Sequence, residues 1–105
     1  MQIDQLKFNQ CLIELQETFL RGELTQSQDL LQIQEKEILI RLNNYGNLSN
    51  QVLKCESQLQ DQVRYILVKT YQGLCHLSCL ELQQSGQCLE EALEHIQVAK
   101  DEQHN

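Results

Sequence analysis

The stretch from Val63 to Gln83 constrains this chain more than any other. Placed at about 100° per residue, Val63, Ile66, Leu67, Val68, Tyr71, Leu74, Leu77, Leu80 and Leu82 occupy most of the helical circumference. Only Lys69, Gln72, His76 and Gln83 gather into a polar stripe. Such a helix has to be covered from at least two sides, by its own chain or by a partner. The surrounding vocabulary is helical as well: the chain holds no proline, four glycines and a large excess of Leu, Gln and Glu. The expected fold is all-α, one domain over residues 1–105, long enough to bury a core without a disulfide or a metal.

Four antiparallel helices are expected, over about 3–21, 25–44, 49–84 and 87–101, with the third long or kinked at Gly73. In the first, Phe8, Leu12, Leu15 and Phe19 recur at three and four residues, and Leu6, Ile13 and Leu20 form a second row seven apart. Gly22 can take the left-handed conformation that ends a helix, and Thr25 with Gln28 has the form of a capping box for the next. Leu24, Leu31, Ile38, Leu42 and Tyr45 mark the face of the second helix, and Asn43 to Asn47 supply turn chemistry. Ser49 or Asn47 is placed to cap the third, and Ser85-Gly86 is read as the break before the fourth. There, Ala92 and Ala99 are small enough for a close approach to the third helix.

Fifteen acidic residues against eight scattered Lys and Arg leave no basic stripe for phosphates or anionic lipid, so neither nucleic acid nor membrane is an expected partner. No charged-then-apolar leader opens the sequence and no run approaches a membrane span, so an intracellular location, cytoplasmic or nuclear, is expected.

Cys75, Cys79 and Cys88 raise the question of metal or thiol chemistry. The first two are one turn apart, but His76 is offset from them and no recognised zinc spacing occurs. Cys88 opens the fourth helix, yet Glu90 and Glu91 beside it oppose a thiolate. The plainer reading is of small buried hydrophobes where the last two helices meet, with no cofactor and no catalysis.

The segment "YQGLCHLSCLELQQSGQCLEEALEHIQVAK" resembles a tetratricopeptide repeat. Tyr71, Gly73 and Leu74 stand on its first helix, and Ala92, Ile96 and Ala99 on its second at intervals of four and three. A fainter echo runs from Cys11 to Gln34, with Gly22 in the turn. The resemblance implies a scaffold of helical hairpins that holds a peptide or helix of another protein.

The sequence therefore points to a non-enzymatic protein–protein interaction module, a small adaptor or complex subunit. Its expected partner surface is Ile66, Tyr71, Leu74 and Leu77 on the third helix, with Leu6, Ile13 and Leu20 as a further seam. A homodimeric bundle is the nearest alternative, and a cysteine-based metal or redox regulator built on Cys75, Cys79 and Cys88 is the alternative of another class.

Overall fold

The computed structural model describes residues 2–45 and 51–104, with the side chains at 2, 51–55 and 102–104 outside the description. Four helices follow one another: α1 (Gln2–Leu20), α2 (Leu24–Asn44), α3 (Gln51–Ser78) and α4 (Leu82–His104). No strand occurs among the described residues. The all-α expectation holds, and α3 runs for 28 residues straight through Gly73.

The helix ends are set by backbone geometry more than by side-chain caps. After α1, the Glu23 N–H donates to the Thr18 carbonyl at 2.8 Å and the Gly22 N–H to the Phe19 carbonyl at 3.0 Å, with Gly22 at φ +74. This pair of bonds closes the helix around one left-handed residue, a role glycine fills without steric cost. α2 then starts at Leu24 with Glu23 as an N-cap that makes no side-chain bond, so the capping box expected of Thr25 and Gln28 is not used. The buried Ser27 hydroxyl instead meets Thr18 Oγ1 at 2.7 Å, a polar stitch between α1 and α2. The expected caps Ser49 and Asn47 lie outside the described residues.

The same pattern closes α3, and it corrects the expected break. Glu81 N–H donates to the His76 carbonyl at 2.9 Å and Leu80 N–H to the Leu77 carbonyl at 3.0 Å, with Leu80 at φ +60. The turn is therefore Cys79–Glu81, and Ser85 and Gly86 lie inside α4. Ser85 does not break the helix because its hydroxyl, buried, donates to the Gly73 carbonyl at 2.8 Å across the α3/α4 contact. Gly73 is the point of closest approach: a Cβ there would stand 2.9 Å from the Leu89 side chain. Ala92 is buried in the same seam, and Ala99, expected to share that role, is only half-buried.

Phe8 and Leu15 of α1, Leu31 and Ile38 of α2, and Tyr65, Val68 and Cys75 of α3 make the core, with Leu12, Leu42, Leu67 and Tyr71 around it. Backbone packing runs chiefly between consecutive helices, and the Cα trace measures 44 × 28 × 17 Å, the proportions of a slab. A slab covers a middle helix on its flanks and leaves its outward side open. α3, expected to need cover from at least two sides, is flanked by α2 and α4, and Val63, Leu74 and Leu77 stay exposed by 41–47 %. Lys69, placed by the sequence on the polar stripe, is buried.

Candidate functional site

The charges of α3 decide what its outward side looks like. Asp61 is 0 % exposed, and its carboxylate receives Arg41 as a fork, Nε at 2.9 Å from Oδ2 and Nη2 at 2.9 Å from Oδ1. Arg64 Nη1, one turn on, donates to Oδ1 at 2.7 Å, and the Tyr45 hydroxyl donates to Oδ2. Arg41 also reaches Asp4 at 3.5 Å, and Arg64 Nη2 donates to Gln5 Oε1 at 2.7 Å, so the network ties α1, α2 and α3 together. Burial on its own raises the Asp61 pKa. The hydrogen bonds from Arg41, Tyr45 and Arg64 outweigh it and hold the carboxyl below its ordinary range.

Lys69 is treated in the same way two turns along. Its Nζ lies 3.0 Å from Glu35 of α2 and 2.8 Å from Glu91 of α4, and 5.6 Å from the Tyr65 ring centroid. Burial favours the neutral amine, but the bonds to Glu91 and Glu35 prevail and raise the ammonium's pKa above its usual value. The Tyr65 ring in turn packs on His95 of α4, centroids 4.2 Å apart.

With Asp61, Arg64 and Lys69 turned inward, α3 exposes no Asp, Glu, Lys or Arg side chain from Gln60 to Ser78. That outward side borders an open groove of about 310 Å³ between α1 and α3, lined without charge by Leu12, Phe19 and Leu20 and by Tyr71, Leu74 and Cys75. The charged residues of α1 face elsewhere: Lys7, Glu14, Glu17 and Arg21 surround Leu30 and Ile33 on the side shared with α2. Charged residues of α1 and the uncharged groove thus lie on different faces in a chain of net charge −7.

Of the expected partner residues, the structure brings Leu20, Tyr71 and Leu74 together in this groove. Leu6 and Ile13 are exposed on the row that leads away from Leu20 along α1, outside the groove lining. Ile66 and Leu77 stand seven before and four after Gly73, on the line of α3 that meets α4. The ion-pair network of Asp61, Arg64 and Lys69 was not singled out by sequence reasoning. Its one signal is that three charges interrupt an otherwise apolar arc, two of them three residues apart with opposite sign.

Cys75, Cys79 and Cys88 do not converge on one point. Cys75 is buried at the groove floor, Cys79 is exposed in the turn and Cys88 is half-buried on α4. Among the described residues no three His, Cys, Asp or Glu side chains converge as metal ligands. Burial raises the thiol pKa of Cys75 and Cys88. Burial, with Glu14 and Glu37 nearby, carries Cys11 to about 11. These thiols are held away from the thiolate form that nucleophilic or metal chemistry requires.

Among the described residues no helix is long and apolar enough to cross a membrane. Comparison with protein-family models, curated proteins and solved structures returns no match.

Proposed function

We propose that this chain is a non-enzymatic protein-binding module, a small helical adaptor or complex subunit, that takes an uncharged apolar helix of another protein along the α1/α3 groove. One observation carries the reading: the groove is lined without charge and α3 exposes no Asp, Glu, Lys or Arg side chain from Gln60 to Ser78, although the chain as a whole is strongly acidic. Keeping charges off a face has a cost, here the burial of Asp61, Arg64 and Lys69, and the gain is a surface that desolvates cheaply against an apolar partner. Covering the part-exposed Tyr71 and Leu74 contributes about 1 kcal/mol apiece, and covering the far more open Leu20 about 2 kcal/mol. The tetratricopeptide resemblance of residues 71–100 points toward the same activity, a hairpin scaffold holding a helical segment.

Selection from a displayed library of helical peptides tests the proposal. Enriched peptides should carry apolar residues at three-and-four spacing and should lose binding to a Leu74→Glu variant. They should keep it against Ile33→Glu, an equal change at an exposed residue of α2. Enrichment of nothing, or of peptides indifferent to Leu74→Glu, overturns the reading. Sedimentation showing a dimer that Leu74→Glu dissociates would assign the face to a second copy.

A further inference from the structure

α4 carries an apolar line that the α1/α3 groove does not use. Leu82, Leu89, Leu93 and Ile96 recur at seven, four and three residues, so they share one side of the helix. All four are exposed, Leu93 by 65 %. The line runs beside the α3 contact, because Leu89 is the residue that abuts Gly73, and Ile66 and Leu77 follow the line of Gly73 on α3. The furrow between α3 and α4 is therefore apolar on both walls.

What distinguishes this furrow is its rim. Glu90, Glu94 and Asp101 follow one another at four and seven residues on the strip of α4 next to the leucines, turned from them by about 100°. Glu90 and Glu94 enter no ion pair among the described residues, and the Asp101 carboxylate accepts a hydrogen bond from the Gln97 amide at 3.0 Å. Glu91, by contrast, is held by Lys69. From Gln60 to Ser78 α3 exposes no compensating Lys or Arg, and Lys100, at the far end, is the one Lys or Arg on α4.

We infer that the α3/α4 furrow docks a basic amphipathic helix of another protein, its apolar side on Leu82, Leu89, Leu93 and Ile96 and its Lys or Arg side chains on Glu90 and Glu94. A second copy of this chain is the wrong occupant, since it would bring a further net −7 against the same carboxylates. The line from Leu82 to Ile96 spans about 21 Å, matched by a peptide helix of roughly four turns.

The probe is a fluorescent Leu/Lys peptide of about 18 residues, compared by anisotropy with Leu/Gln and Leu/Glu peptides of identical Leu positions against the full chain. The Leu/Lys peptide should bind about tenfold tighter than Leu/Gln, and Leu/Glu weakest. Glu90→Gln with Glu94→Gln should remove that tenfold, whereas Glu14→Gln with Glu17→Gln, the same charge change on the α1/α2 side, should shift affinity less than about twofold. Leu93→Gln should weaken both the Leu/Lys and the Leu/Gln peptides. Equal binding of Leu/Lys and Leu/Gln, equal loss from the two carboxylate pairs, or no binding at all overturns the inference. Leu74→Gln, which alters only the α1/α3 groove, should leave the Leu/Lys affinity in place, so this inference and the proposed function fail independently; a loss there places the basic peptide in the other groove and refutes the assignment to α4.

Discussion

Replacing Asp61 by Asn changes almost no volume and removes one charge, so it isolates the electrostatic link among α1, α2 and α3. In the wild type the carboxylate is fully buried and answers Arg41, Arg64 and Tyr45 at once. In the variant one amide oxygen is left for both guanidinium groups, and Arg64, only 6 % exposed, otherwise keeps Gln5, while Arg41, more open to water, keeps Asp4 at 3.5 Å. Breaking a buried pair by removing one partner costs about 3–5 kcal/mol, and the surviving partners and partial hydration of Arg41 place this case near the lower end, about 3 kcal/mol. A chain of this size has roughly 5–15 kcal/mol to lose. The loss should appear in urea unfolding followed by circular dichroism as a lower midpoint at unchanged slope, and in heating as a fall of roughly 10–20 °C. A loss below about 1 kcal/mol would refute the claim that the network holds the three helices together. The pH dependence follows from the same geometry. Because the folded carboxyl titrates below its unfolded value, its contribution is complete above the ordinary Asp range near 3.9 and disappears as pH falls through the folded value. The wild type should lose stability steeply below about pH 4, and the Asn variant should show a shallower acid limb.

Three further outcomes follow from the turns, the second ion pair and the thiols. Gly22→Ala should cost about 1 kcal/mol and Leu80→Gly should gain a similar amount, because both residues are left-handed and only one of them is glycine; equal signs in chemical denaturation would contradict the backbone account. Lys69→Met should destabilise by about 1–2 kcal/mol by leaving Glu35 and Glu91 facing each other. Since the Lys69 ammonium titrates above its free value in the fold, its stabilisation is present below about pH 10.4 and is lost as pH rises further, so the variant should show a weaker alkaline limb. Alkylation at pH 8 mapped by mass spectrometry should label Cys79 first among the described cysteines, with Cys11 and Cys75 protected until the chain unfolds; early labelling of Cys11 would contradict a thiol held near 11.

The helices were legible in the sequence because periodicity and the lack of proline leave little else for these residues to form. Gly22 was legible as a stop for the same reason that it works as one: it alone takes φ +74 without strain. The stop at Leu80 was not legible. Nothing in a leucine announces a left-handed residue, and Ser85-Gly86 carried the stronger turn signal until the Ser85 hydroxyl found the Gly73 carbonyl across the hairpin. Reading α3 as apolar nearly all round was right about its composition, but it set Lys69 on the polar stripe and passed over Asp61 and Arg64. Whether Lys69 meets water or two glutamates depends on Glu35 and Glu91, each more than twenty residues away along the chain, and no local spacing encodes that pairing. The groove residues Leu20, Tyr71 and Leu74 could be named because apolar surplus is visible locally. That they converge depends on how α1 lies against α3.

The most direct measurement is the chemical-shift footprint of a library-selected apolar peptide on the isotopically labelled chain. Shifts concentrated at residues 12–20 of α1 and 67–78 of α3 are the predicted result, with the outer side of α2 around Ile33 and Ile40 unmoved. A footprint centred on α2, or one that persists unchanged after Leu74→Glu, would contradict the claim that the face cleared of charge is the face that binds.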